Sequence, residues 1–348
     1  MPREIVHWDV LHSAMAQLAG RNAEVVDICL HKFNAVARLG AVVHDAPYYA
    51  DWGKDLHFTA YAEYLHGLHS EDTFLPLKKL AMSIVEMKDA RQRFVCWALL
   101  LGMVSHYVAD VNFHPVVYYF TGNYNDEDIK KRARAQTLHR LFEVYMDAWF
   151  RRRAGVTGDL FVGSLIRQIG VDLEPICALL AEISIEDLSG NDLNPDEYKT
   201  KASRESAWQK SIKCLAFCQR AFYNHPLGAL VRLFSRLTGR IKDVDVLFSF
   251  NRQCDLKLFS SPISYKNPVT GIGDSVSVTE LRDKSAAETA ELFIKFEPLL
   301  SQAETSVDKA LGGVVGKSLN YGKSAVSGAD MKYMAEKLEP FLAGVFDE

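Results

Sequence analysis

The stretch Ser105–Phe120, SHYVADVNFHPVVYYF, sets His106, Asp110 and His114 four residues apart in otherwise apolar sequence. Residues four apart share one face of an α-helix, so His106 and Asp110 can reach a common point. Upstream, Asp89 with Gln92 three residues later has the form of a capping box. It opens RQRFVCWALLLGMVSHYVADVNF, which is apolar nearly all round and predicts a central, buried helix. A buried carboxylate costs several kcal/mol unless it is paired or bound to a metal. Pro115 disfavours helical geometry at His114 and predicts a helix end at Asn112–Phe113. His114 is then expected to project at a different angle from His106.

The same spacing recurs in HRLFE, where His139 and Glu143 lie four apart on a second strongly helical segment, EDIKKRARAQTLHRLFEVYMDAWFRRRAG, stopped by Gly155. Either pair alone is weak evidence, since satisfied core histidines and solvated carboxylates are common. Both together on apolar helices suggest a site inside a helical bundle. Further candidates precede them: His7 and His12, about 140° apart on a helix; His44 and Asp45, just before Pro47; and His57, His66 and His69. Nitrogen and oxygen ligands in this number, without thiolate, favour Zn²⁺ among common ions, with Fe or Mn as alternatives. Ten of the eleven histidines fall before Arg140.

The surrounding chain is helical in pattern. AEVVDICLHKFNAVARLGAVV, with Gly40 as a break, and LKKLAMSIVEMK repeat apolar residues at three and four. So do GSLIRQIG, DLEPICALLAEI, a long candidate from Pro195 to Leu237, a helix capped by Thr279, and a tail helix over Met331–Phe346. Val246–Asp274 is rich in Ser, Asn, Pro and Gly and reads as an irregular loop with a short hairpin. The class is therefore all-α, a multi-helix bundle with a loop insertion near 245–275. Residues 1–155 form a helical metal-site core, and 156–348 a helical continuation packed into the same domain.

The chain has 348 residues, 48% apolar and 24% charged, with a net charge of −4. No basic block marks a nucleic-acid footprint. The N-terminus lacks the apolar run of a secretory signal, which predicts a cytoplasmic protein. FVCWALLLGMV is too short to span a bilayer. Six scattered cysteines, with only Cys214 and Cys218 one turn apart, read as buried free thiols rather than a metal site. The aromatic run VVYYF (Val116–Phe120) reads as core before acyl-pocket lining, and Arg151–Arg153 as a solvated helix end.

Taken together, SHYVADVNFHP, HRLFEVYMD with Asp147, GAVVHDAPYY and VHWDVLHSA resemble the motifs of the zinc-dependent phospholipase C family, the all-helical relatives of S1/P1-type nucleases. The resemblance spans Met1 to about Ala154. It implies a trinuclear zinc site, here two to three ions. His106, Asp110, Asp45 and a loop histidine, His66 before His69, would hold the first; His114, His139 and Glu143 the second. His7, favoured over His12, would hold the third with Asp110 bridging. In the family an N-terminal tryptophan completes that third site; this sequence starts Met-Pro, with Trp8 after His7. Asp45 is the implied catalytic residue, orienting or deprotonating the attacking water. The implied reaction cleaves a glycerophospholipid to diacylglycerol and a phosphorylated headgroup by a metal-held hydroxide. Phospholipid or another phosphodiester is the expected partner, with transient membrane-surface contact and no nucleic acid. A nuclease of the S1/P1 kind, whose second motif ends in Asp where Glu143 stands, and a non-catalytic metal-binding member are the rival readings.

Overall fold

The computed structural model describes residues 3–53, 56–124, 126–153, 161–183, 198, 200–223, 225–238, 259–302 and 305–335. The helices are α1 (Glu4–Ala16), α2 (Glu24–Lys32), α3 (Asn34–Val43), α4 (Leu56–Leu65), α5 (Leu75–Val85), α6 (Ala90–Thr121) and α7 (Ile129–Arg153). After them come α8 (Val162–Ile169), α9 (Leu173–Leu180), α10 (Lys201–Tyr223), α11 (His225–Thr238), α12 (Val278–Leu300) and α13 (Val307–Leu311). Apart from one antiparallel hairpin, β1 (Ile263–Lys266) with β2 (Gly273–Val276), the described elements are helical, and the fold is all-α.

Helix α6 is the axis. Asp89 caps it, accepting from the Gln92 amide at 2.7 Å, and its residues from Val95 to Tyr118 are buried. By length and composition α6 could cross a membrane, yet 94% of its apolar window is buried inside the protein. The helix passes through Pro115 and ends at Thr121, eight residues beyond the predicted stop. A proline inside a helix costs about 3 kcal/mol. Burying Val116, Val117 and Phe120 on the last turns returns about 1.5–3 kcal/mol for each side chain, so packing overrides the local preference. The carbonyl of Val111, deprived of its helical partner by the proline, is covered by Gly322 (φ +66°), where a Cβ would lie 2.5 Å from that oxygen.

Gly40 does not break α3; the interruption falls at Phe33, between α2 and α3. Gly40 and Gly102 instead let α3 and α6 touch backbone to backbone. A Cβ on Gly40 would sit 2.1 Å from the Leu99 carbonyl oxygen, and one on Gly102 would sit 2.0 Å from that of Ala37. This approach, one turn before His106 on α6, brings the end of α3 with His44 and Asp45 up to His106.

The cap of α12 is Ser277, not Thr279: its hydroxyl accepts from the Glu280 amide while Glu280 accepts from the Ser277 amide. The long Pro195–Leu237 candidate divides into α10 and α11, and residues 195–197 lie outside the described residues. Met331–Ala335 is not helical; the remainder of that tail, Gly155, Cys254 and residues 246–258 also lie outside. Cys29, Cys96 and Cys177 are buried free thiols, whereas Cys214 and Cys218 are only partly buried.

Candidate metal centre

Four buried side chains from three places converge beside α6: Asp45 after α3, His66 after α4, and His106 with Asp110 on α6, their ligand atoms all within 4.8 Å of one another. His106 Nε2 is 3.1 Å from Asp110 Oδ2, His66 Nε2 is 3.4 Å from the same oxygen, and Asp45 Oδ1 lies 3.4 Å from His66 Nε2 and 3.5 Å from His106 Nε2. A second buried group joins His114 of α6 to His139 and Glu143 of α7. There Glu143 Oε1 is 2.8 Å from His139 Nε2 and 3.8 Å from His114 Nε2. Asp110 faces both groups, because its other oxygen, Oδ1, is 3.7 Å from His114 Nε2 and 3.5 Å from His7 Nε2.

His114 lies on the same helical stripe as His106 and Asp110, contrary to the expectation that Pro115 would turn it aside. It falls into the other group because it is eight residues, about 12 Å, further along α6 than His106.

The tautomers are fixed from outside each group. His106 Nδ1 meets the Ala41 carbonyl at 2.9 Å, His114 Nδ1 meets that of Leu319 at 2.9 Å, and His66 Nδ1 meets that of Ala62. A carbonyl only accepts, so in each ring Nδ1 carries the hydrogen and a neutral ring turns its Nε2 lone pair inward. These three Nε2 atoms, both Asp110 oxygens and Asp45 Oδ1 are buried and make no hydrogen bond within the protein. Such a concentration of acceptors facing one another calls for a cation. Zinc with bonds near 2.0–2.1 Å in a tetrahedron separates its ligand atoms by about 3.3 Å, which matches the spacing in the first group.

The charge balance supports the same conclusion. Burial holds His7, His44, His114 and His139 well below the usual imidazole value, so these rings are neutral donors. Burial also disfavours charge on His66, but the carboxylates of Asp110 and Asp45 outweigh it and push that ring up to about 9. Against the burial of Asp110, His114 and His106 hold its carboxyl well below the usual carboxylate range. A site without metal therefore holds a proton where a cation fits.

His7 stacks on His106, ring centroids 4.1 Å apart and planes 13° from parallel, and neither of its nitrogens has a hydrogen-bond partner. Its helix is held by Asp147 of α7, which accepts from the Ile5 amide at 3.3 Å and the Val6 amide at 3.1 Å. Asp147 also accepts from the Tyr223 hydroxyl at 2.9 Å. Burial and the charge of Glu4 push Asp147 up to about 7. The sequence motif contained Asp147, but only the fold shows that it anchors α1. His44, unassigned by the motifs, stacks on His106 at 4.6 Å with both nitrogens buried and unbonded. His12 and His69 are exposed and belong to neither group, and the side chains of His57 and His225 lie outside the described residues.

Leu319 was invisible in the sequence. Besides accepting from His114, its amide donates to the His66 carbonyl at 3.0 Å, so a segment far along the chain ties the two groups together. Of the aromatic run, Val116, Val117 and Phe120 are core, while the Tyr118 ring packs 4.8 Å from that of His139.

Comparison with curated proteins and with solved structures found no match. The family model for zinc dependent phospholipase C matches residues 6–207, more than half of the chain. That span takes in His7, Asp147 and every member of both convergent groups, and it ends before α11, α12 and Leu319. The buried donor set fits zinc by chemistry and spacing, the match supplies the relationship, and the chain belongs to the zinc-dependent phospholipase C family.

Proposed function

We propose that the chain is a phospholipase C-like phosphodiesterase. It cleaves glycerophospholipid on the glycerol side of the phosphate, releasing diacylglycerol and a phosphorylated headgroup. The observation that carries the reading is Asp110, whose two oxygens face two adjacent groups of buried nitrogen and oxygen donors inside a family member. Asp45, His66, His106 and Asp110 would hold one zinc, and His114, His139 and Glu143 a second. His7 with Asp110 Oδ1 offers half of a third site.

Zinc bound in such sites supplies a nucleophile at neutral pH and neutralises charge on the phosphoryl oxygens. The protein supplies the rest. Asp45, the most exposed side chain of the first group, would accept the proton of the attacking water as its oxygen bonds to phosphorus, and that proton would pass to the departing glycerol oxygen. The backbone carbonyls of Ala41, Ala62 and Leu319 keep the three histidines in one tautomer, with Nε2 turned inward.

The test is product analysis. Zinc-loaded protein incubated with mixed micelles of phosphatidylcholine, phosphatidylethanolamine and phosphatidylglycerol is expected to release diacylglycerol. Cleavage of single-stranded DNA without diacylglycerol release would replace the lipid reading with a nuclease. Full zinc loading with no turnover of any phosphodiester would leave a metal-binding protein.

A further inference from the structure

Helix α11 carries three leucines, Leu230, Leu233 and Leu237, at 63%, 56% and 77% exposure. Spacings of three and four put them on one face of the helix, with the half-exposed Phe234 beside them, while Gly228 is buried. Among the described residues no other helix exposes as many large apolar side chains. An apolar stripe on a soluble protein marks a docking surface for something.

Charge identifies the occupant. Between Glu205 and Asp243 the sequence holds seven Lys and Arg and no Asp or Glu, against an overall net charge of −4. Arg232 and Arg236 fall within α11 itself, among the leucines. An apolar helix face within a stretch of sequence whose charged residues are all basic has the composition of a helix that lies in the headgroup layer of an anionic bilayer. It lacks the acidic partners that would complement this region in a second copy of the same stretch.

The helix is also joined to the metal centre. It begins two residues after Tyr223, whose hydroxyl donates to Asp147, the residue that holds the start of α1 and so His7. We infer that α11 is a membrane-docking helix that seats the protein on bilayers carrying anionic lipid. The choice of occupant rests on the lipid reading of the metal centre. The family match ends at residue 207, so this element lies beyond it.

The test uses the full chain, zinc-loaded, with vesicles of phosphatidylcholine alone or with about 30% phosphatidylserine. Sedimentation with the vesicles, diacylglycerol release from them, and hydrolysis of a water-soluble chromogenic phosphodiester are measured side by side. Wild type is expected to partition onto the anionic vesicles and to be released by about 0.5 M salt. Leu233→Glu with Leu237→Glu is expected to weaken partitioning and vesicle hydrolysis about tenfold or more, leaving zinc content and soluble-diester hydrolysis unchanged. Arg232→Gln with Arg236→Gln, which removes two positive charges, is expected to weaken binding to anionic vesicles only. Partitioning of the glutamate pair equal to wild type overturns the inference. So does a wild-type dimer in light scattering that becomes monomeric on the same substitution, which would make the face a contact between copies. Soluble-diester hydrolysis without vesicle binding leaves the metal-centre reading intact and removes the docking helix; leucine-dependent vesicle binding without hydrolysis of either substrate does the reverse.

Discussion

His114 donates from Nδ1 to the carbonyl oxygen of Leu319 at 2.9 Å, across 205 positions of sequence. The amide of the same leucine donates to the carbonyl of His66, a member of the other group. One residue near the end of the described chain thus sets the orientation of a histidine in one group and the backbone of a histidine in the other. Gly322 seals the same segment against the Val111 carbonyl and Pro115. Gly322→Ala places a methyl against that carbonyl and strains a positive-φ position, so it is expected to lower zinc affinity about 10–100-fold. Chelator competition measures this, and an unchanged affinity would deny the segment its positioning role.

Asp110 faces both groups. Asp110→Asn keeps the shape but removes the negative charge, and is expected to reduce bound zinc at both groups. Loss of an oriented outer partner costs a metalloenzyme about 10–100-fold, so loss of this shared donor should cost on the order of 100-fold or more in activity. Metal analysis with diester hydrolysis checks both. Loss of a single ion with the other retained would mean that the groups are independent.

The glycine contact between α3 and α6 predicts a linked effect. Gly102→Ala forces a methyl toward the Ala37 carbonyl oxygen and is expected to destabilise the fold by about 1–3 kcal/mol. It also shifts the Ala41 carbonyl that orients His106, so zinc affinity should fall with stability. An exposed Gly→Ala control such as Gly313→Ala is expected to leave zinc affinity alone.

Zinc binding is expected to release protons. Without metal the His66 ring sits at about 9, above the ordinary 6.5, so at pH 7.5 it holds a proton that a ligand nitrogen cannot keep. The stabilisation that this proton gives the metal-free fold is full below pH 6.5 and lost as pH rises through about 9. Zinc affinity accordingly rises over that range. Calorimetry in buffers of different ionisation enthalpy measures the release, and a buffer-independent heat at pH 7.5 would contradict it.

Asp147 acts in the same direction at lower pH. Its carboxyl is raised from 3.8 to about 7, so it lowers stability progressively as pH climbs from about 4 to 7. Asp147→Asn removes that penalty and keeps an acceptor for the α1 amides; Asp147→Ala leaves them unpaired at about 1–3 kcal/mol. Thermal unfolding from pH 4 to 8 is expected to show the asparagine variant gaining on wild type with rising pH. Parallel curves would show that Asp147 is not strained.

Local periodicity made α6 and α7 legible, and with them the two i,i+4 pairs, because a 3.6-residue period and polar residues inside apolar runs are properties of the sequence itself. Asp45, His66 and His7 stood in a longer list of candidates from which only motif resemblance selected them, since residues brought together from separate elements share no local spacing. Pro115 misled because the rule for the residue before proline is local, whereas the burial of Val116, Val117 and Phe120 that carries the helix onward is tertiary. Ser277 was missed for Thr279 because several hydroxyl residues precede α12, and only geometry selects the one that closes the box with Glu280. The roles of Leu319, through its backbone, and of Gly40 and Gly102, through the side chains they lack, left no local pattern to read.

Anomalous scattering at the zinc edge, collected from crystals of the zinc-loaded protein, tests the central claim most directly. Two adjacent peaks are expected, one among Asp45, His66, His106 and Asp110 and one among His114, His139 and Glu143, with Asp110 beside the first and facing the second. Zinc bound elsewhere, with these two positions empty, would contradict the account.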